Sequence, residues 1–141
     1  MLPNDSNPLG FILGGTVMHL IDITGAIACH RHTNALALTA GVDSLDFIHP
    51  IKVGDLIILK SRVTCVFKTS LEVEVEVFSE EIQTGDRKLT SHAYLTFVSL
   101  DNHGKPKPVP PLMMETPDDE ERCRAAHVRR DERLKRKNAG K

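Results

Sequence analysis

The sequence predicts an α+β domain in which one apolar helix lies across an antiparallel sheet. Three observations predict it. Residues 14–32 are apolar nearly all round a helical wheel, with Val17, Met18, Leu20, Ile21, Ile23 and Ile27 on different sides. Such a helix belongs inside a protein rather than on its surface. Residues 71–77 read Leu-Glu-Val-Glu-Val-Glu-Val, the strict alternation of a half-buried strand. Around it, residues 36–100 divide into β-rich runs joined by short, turn-like connections.

The elements follow in order. Residues 1–13 read as an irregular loop broken by Pro3, Pro8 and Gly10. The helix over 14–32 rises about 1.5 Å per residue, enough to cross a small domain. Residues 36–48 form a strand that ends at Pro50, and Lys52-Val53-Gly54-Asp55 is a turn. Residues 56–67 form a second strand. Lys68-Thr69-Ser70 joins it to the alternating strand, so the pair reads as an antiparallel hairpin. In that register Lys60 and Arg62 share a face with Glu74 and Glu76, and such cross-strand pairs contribute roughly 0.2–1 kcal/mol each. Residues 88–100 make a further strand with Leu89, Ala93, Leu95 and Phe97 on one face, closed by the turn Asp101-Asn102-His103-Gly104. Lys105 to Pro111 is Pro-rich and extended. Thr116 caps a last helix, with Pro117 in its first turn and Asp118 and Asp119 at its positive pole.

The chain has 141 residues with a net charge of -1, and 40% of them are hydrophobic. That suits one domain with a sizeable core, here residues 1–111, followed by a C-terminal basic helix and tail over 112–141. Neutral charge gives no reason to expect a nucleic-acid or membrane partner. No apolar run approaches the roughly 20 residues of a membrane span, and no signal peptide is visible at the start. Cys29, Cys65 and Cys123 are odd in number and far apart, which predicts free thiols in a reducing compartment, the cytoplasm. The helix from Thr116 onward carries nine of the eighteen Lys and Arg residues with the tail. It reads as a solvated segment whose basic end faces the negative helix pole, and it has no aromatic residue for stacking on bases.

The polar residues that interrupt the apolar pattern sit near the start. Asp22 lies about two turns inside the apolar helix, and a charge placed there needs a compensating role. Gly14 and Gly15 stand where the helix begins, so free N–H groups and the positive end of the dipole point outward. Asn7 by itself reads as a turn residue, and a glycine pair by itself also serves tight packing. Cys29-His30-Arg31-His32 contains metal-ligand types, yet it sits at the helix C-terminus, where His and Arg face the dipole, and no second cluster is evident. No metal site is expected.

Taken in order, Asn7-x-x-Gly10, Gly14-Gly15, Asp22, Phe47-x-x-Pro50-x-x-x-Gly54-Asp55, Ser70-x-Glu72-Val73-x-Val75, Thr96-Phe97-Val98-Ser99-Leu100, Gly104-Lys105-Pro106 and Val109-Pro110 resemble the hot-dog-fold acyl-CoA thioesterases, the cytosolic acyl-CoA hydrolase group. The resemblance runs from about residue 3 to residue 111. It implies a sheet wrapped around the central helix, and an enzyme that hydrolyses acyl-CoA to free acid and coenzyme A. It implies a homodimer with a continuous sheet, often assembled as a trimer of dimers, a hexamer. It also implies that Asp22 of one subunit faces Asn7 of the other. Members usually carry a strand before the asparagine segment. This chain opens at Met1-Leu2-Pro3, so that strand is expected to be missing or reduced.

Thioester hydrolysis needs an activated water, a place for the developing oxyanion and a thiolate leaving group. Asp22 can act as general base on water or attack the carbonyl as a nucleophile, and the sequence leaves both open. Asn7 can orient the water or hydrogen-bond the thioester. Backbone N–H groups at Gly14 or Gly15 can polarise the carbonyl. Lys68, Thr69 and Ser70 are the candidates for the pantetheine or phosphate end of CoA. No cofactor is expected beyond CoA itself as part of the substrate. The rival reading is a non-catalytic acyl-CoA-binding or sensor module on the same fold. An apolar groove for an acyl chain gains nothing from a carboxylate, which favours the enzyme. Hydration of an enoyl-CoA is weaker, since His30 and His32 sit at the helix end. Acyl chain-length preference is not legible.

Overall fold

The computed structural model describes residues 10–139. The elements are α1 (Gly14–Thr33), β1 (Leu36–Phe47), β2 (Leu56–Val66), β3 (Ser70–Glu80), β4 (Arg87–Leu100) and α2 (Pro117–Ala139). Among the described residues the strands form one antiparallel sheet in the order β1-β4-β3-β2. Residues 1–9, and with them Asn7 and any strand at the start of the chain, lie outside the described residues.

Helix α1 buries every fourth residue, Val17, Ile21, Gly25, Cys29 and Thr33, as one stripe against the sheet. The facing side chains are the alternating row Leu71, Val73, Val75 and Val77 of β3, with Ala93, Leu95 and Phe97 of β4, all virtually without solvent contact. Period-two burial on the strands and period-four burial on the helix thus meet in one core. At Gly25 the helix lies close against the sheet. A Cβ there would stand 3.0 Å from two ring atoms of Phe97, so a larger residue would have to displace the ring. The helix stops at Asn34, which takes a left-handed conformation and returns its N–H to the His30 carbonyl at 2.7 Å.

The β2–β3 hairpin has the register expected from its turn, with Lys60 opposite Glu76 and Arg62 opposite Glu74. Arg62 serves both glutamates, at 3.5 Å and 3.6 Å, while Lys60 sits over the Phe78 ring. One expected face is corrected. Val77 pairs with Ser91 but Phe78 pairs with Leu89, so Thr90 is an extra residue and Leu89 leaves the row of Ala93, Leu95 and Phe97. The Thr90 hydroxyl donates to the Val77 carbonyl at 3.0 Å and fixes the bulge.

A larger correction concerns the C-terminal helix. It is no solvated tail: α2 covers the outer face of the sheet, the face opposite α1. Its start is a reciprocal cap, in which Asp119 N–H donates to Thr116 Oγ1 and Thr116 N–H donates to Asp119 Oδ2, each at 3.2 Å. The Glu115 amide on the same carboxylate is the main cause that holds Asp119 below its ordinary pKa. Further along, Arg129 and Arg133 turn inward. Arg129 takes Glu72 and Arg133 takes Asp43, two carboxylates on the outer face that are almost fully buried. The helical period put these arginines on one side, one turn apart. The sequence pattern of a charged helix hid that this side is docked.

The expectation of free thiols also changes. Cys65 on β2 and Cys123 on α2 form a disulfide across a separation of 58 residues, and Cys29 alone remains a free, buried thiol. Burial raises the Cys29 pKa above its ordinary value. Three cysteines accommodate one bridge and one leftover, and spacing alone does not say which pair. In the chain-entropy account a loop of this length contributes about 4 kcal/mol. Reduction is therefore expected to lower the melting temperature markedly, and thermal unfolding with and without reductant checks it. An unchanged melting temperature would show that α2 docks through its arginines alone.

Candidate active site

The site grows from the two elements at one edge of the molecule. Helix α1 carries Asp22 half-buried beside the buried Ile21, on the side that faces β1. The cleft between them has a volume of about 340 Å³ and is walled by Met18, Ile21, Val42, Leu45 and Leu95. Asp22 and Thr39 are its main polar groups, and His19 stands at its exposed margin one turn before Asp22. The Thr39 hydroxyl donates to Asp22 Oδ1 at 2.6 Å. That short contact orients the carboxylate and satisfies one of its oxygens. Oδ2 has no partner among the described residues. An apolar cleft with one oriented carboxylate suits a substrate that is mostly hydrocarbon with one reactive polar group.

Thr39 is the residue that sequence reasoning missed. Nothing in Leu-Ala-Leu-Thr-Ala marks its hydroxyl as different from any strand threonine. The available signal was Gly41 inside a strand pattern, which points to a bulge and hence to an irregular face. Such irregularities do occur, between Thr39 and Gly41 and between Val42 and Ser44.

The remaining predicted residues are brought together only in part. Gly15 lines the same cleft as Asp22, and Gly14 stands under the Phe47 ring, 3.5 Å from where its Cβ would be. Leu13 is the N-cap of α1 and its side chain makes no capping hydrogen bond, and the amides of Gly14 and Gly15 have no acceptor among the described residues. Lys68, Thr69 and Ser70 lie elsewhere. Their loop is braced by Val109 N–H to the Lys68 carbonyl and Ser99 N–H to the Thr69 carbonyl, both at 3.0 Å. Ser70 borders a basic cleft on the α2 side of the sheet, with Arg130, Arg133 and Lys137. One chain therefore does not bring this loop to Asp22.

His30 and His32 hold backbone. His30 Nδ1 donates to the Ala35 carbonyl and His32 Nε2 to the Pro110 carbonyl, each at 2.9 Å, which ties the Pro-rich segment to the end of α1. Among the described residues the one group of metal-ligand type is Cys65, Cys123 and His127, whose ligand atoms lie within 4.8 Å of one another. The disulfide bonds the two sulfurs to each other, which leaves no thiolate for a metal.

A helix across an antiparallel sheet, with its one carboxylate opening into an apolar cleft, is the architecture of a hot-dog-fold thioesterase, and the comparisons agree. Residues 9–85 match the Thioesterase superfamily. The chain is 40% identical over 137 residues to an uncharacterized acyl-CoA thioester hydrolase of Bacillus subtilis, a match that covers 97% of this chain and 80% of that protein. It spans only 35% of the human cytosolic acyl coenzyme A thioester hydrolase, to which it is 38% identical. Among solved structures, an apo-hexameric acyl-CoA thioesterase superposes with a TM-score of 0.92 at 41% identity, over 96% of this chain and 87% of that one. An acyl-CoA hydrolase from Staphylococcus aureus, in complex with butyryl coenzyme A, coenzyme A and coenzyme A disulfide, superposes with a TM-score of 0.90 at 34% identity, over 99% of this chain and 85% of that one. Mutants of that hydrolase with alanine in place of an asparagine, an aspartate or a threonine have also been solved. The chain belongs to the thioesterase superfamily.

Proposed function

We propose that this protein hydrolyses acyl-CoA thioesters to the free acid and coenzyme A, with Asp22 as the carboxylate that acts on the reacting carbonyl. The observation that carries this reading is the carboxylate held at the edge of an apolar cleft, one oxygen fixed by Thr39 and the other without a partner among the described residues. That second oxygen takes a proton from the water that adds to the carbonyl as CoA thiolate leaves if Asp22 is a general base; if it is a nucleophile it bonds to the carbon, CoA thiolate leaves, and water then hydrolyses the mixed anhydride to free acid and the restored carboxylate. Thr39 orients the carboxylate in both cases. Asn7 is assigned to the water or the thioester, and the Gly14 and Gly15 amides to the oxyanion. The positions changed to alanine in the Staphylococcus aureus hydrolase follow one another at the same intervals as Asn7, Asp22 and Thr39 do here, which supports reading the three as one set. Water is the second substrate, so the reaction uses no cofactor.

The active form in this reading is a homodimer. Among the described residues strand β1 is an edge of the sheet; it exposes Leu36 and Leu38 on the α2 side and Val42 on the cleft side, while the adjoining α1 exposes Met18, Ile23 and Ile27. An edge strand with exposed apolar side chains on it and on the helix beside it is what a second copy covers. Three relatives in the structural comparison are hexameric, and we assign this chain a hexamer as well, built as a trimer of dimers. A neighbouring chain would then supply Lys68, Thr69 and Ser70 to the CoA end, because they lie away from Asp22 in their own chain. CoA esters carry phosphate charge that keeps them from crossing a bilayer unaided, so the reading places the protein in a compartment that holds CoA esters, for which we keep the cytoplasm; the Cys65–Cys123 disulfide is then one of the uncommon bridges of a reducing compartment.

The test is thiol release from acyl-CoA esters of several chain lengths. The expected products are free acid and CoA in equal amounts. Tight binding with the thioester intact after long incubation would make the protein an acyl-CoA-binding module instead.

A further inference from the structure

A strand of period two should place Thr39, Gly41, Asp43 and Leu45 on one face. Strand β1 does otherwise. Thr39 and Leu45 face α1 and the cleft, whereas Asp43 faces α2 and Val42 takes its place on the cleft side. The cause is a pair of bulges. Thr39 pairs with Phe97 and Gly41 with Thr96; Val42 pairs with Leu95 and Ser44 with Tyr94. Ala40 and Asp43 are the extra residues. The first bulge reverses the faces of the segment and the second restores them.

A bulge residue lacks the ladder partner that fixes its neighbours. Asp43 is fixed instead from the outer face. Thr96 Oγ1 donates to Asp43 Oδ2 at 2.8 Å, and Arg133 Nη1 contacts both Asp43 oxygens at 3.0 Å and Thr96 Oγ1 at 2.6 Å. The Asp43 side chain is 4% exposed, so this ring of contacts is sheltered from water. On the cleft side of β1, Thr39, just before this segment, holds Asp22, and Val42, within it, walls the cleft.

Building on the proposed hydrolase reading, we infer that Arg133 on α2 is a positioning residue for Asp22. By holding the Asp43 bulge through the sheet, it sets the bulged segment of β1 that begins at Ala40, and so the place of the adjoining Thr39, whose hydroxyl orients the carboxylate. The C-terminal helix thereby acts on the cleft without touching it. The contacts that carry this are all to Asp43 and Thr96; none is to Asp22.

The test uses the full chain with Arg133→Met, Asp43→Asn, Thr39→Ala and the Arg133→Met/Thr39→Ala pair. Asp43→Asn releases the bulge without leaving a buried carboxylate unpaired, so it stands in if Arg133→Met folds poorly. Hydrogen exchange of the amides over residues 40–44 is expected to speed up in both variants while the α1 amides keep their protection. Thr39→Ala is expected to lower kcat about tenfold in the parent and less than twofold in the Arg133→Met background, because the misplaced segment has already forfeited the Thr39 contact. KM is expected to move less than kcat. Multiplicative losses from Arg133→Met and Thr39→Ala, or a lowered melting temperature with kcat unchanged, would overturn the inference and leave the hydrolase reading standing. Unchanged exchange over 40–44 would overturn it whether or not the parent is a hydrolase. A parent inactive on every ester overturns the hydrolase reading, and with it the role of Arg133 in catalysis.

Discussion

Asp22→Asn is expected to lower kcat for acyl-CoA hydrolysis by at least about a hundredfold, close to 2.7 kcal/mol of transition-state stabilisation. The substitution is nearly isosteric. The amide oxygen still accepts the Thr39 hydroxyl that now reaches Asp22 Oδ1 at 2.6 Å, so the cleft keeps its shape. What is lost is the charge and the basicity of the second oxygen, the features that both general-base and nucleophilic routes require. KM is expected to change little, because the apolar walls of Met18, Val42 and Leu45 are untouched. The melting temperature is expected to hold or rise, since a charge has been removed from a half-buried site. Steady-state thiol release by parent and variant measures the first effect and thermal unfolding the second. A variant within threefold of the parent would remove Asp22 from the chemistry.

Arg129→Met is expected to cost about 3–5 kcal/mol of stability, a large share of what a domain of this size has. Glu72 lies beneath α2 with its side chain 3% exposed. Arg129 grips it with two hydrogen bonds, Nε to Oε2 at 2.9 Å and Nη2 to Oε1 at 2.6 Å, and Thr64 adds a third at 2.6 Å. The guanidinium also stacks 3.6 Å from the centre of the Tyr94 ring. The hydrogen bonds to Glu72 are the main cause that raises the Arg129 pKa above its ordinary value. Methionine keeps some of the packing and abandons the carboxylate, which then stays buried without its counter-charge. The double variant Glu72→Gln/Arg129→Met is expected to be more stable than Arg129→Met alone, because the stranded charge is gone. Denaturant unfolding of the parent and the three variants, Glu72→Gln included, closes the cycle. A single variant with parental stability would mean that α2 is held by its disulfide and not by this pair.

The fold was legible where one local rule governs each residue. Alternation over Leu71–Val77 fixed the inward row, the apolar helix announced its own burial, and the Lys68–Ser70 turn set a register that Arg62, Glu74 and Glu76 now occupy. The candidate carboxylate was legible because an aspartate in an apolar helix violates the pattern around it. What stayed hidden depends on elements far apart in the chain. Thr39 meets Asp22 only where β1 packs beside α1, Val42 enters the cleft only through the bulges at Ala40 and Asp43, and strand periodicity carries no trace of a bulge beyond Gly41. The disulfide joins residues 58 positions apart. Arg129 and Arg133 looked like solvated charges because Glu72 stands on an outer face that alternation assigns to water, and Asp43 reaches that face only through the bulges of β1. A helix that covers that face reverses the assignment, and no periodicity within the strands reports it.

In the proposed hydrolase the site joins Asp22 of one chain to Asn7 of another. Subunit mixing of Asp22→Asn with Asn7→Ala tests it most directly, by thiol release after the two inactive proteins are co-refolded. Each hybrid dimer then rebuilds one intact site, and random pairing predicts recovery of about a quarter of the parental activity. A mixture no more active than the two variants measured apart would contradict the shared site.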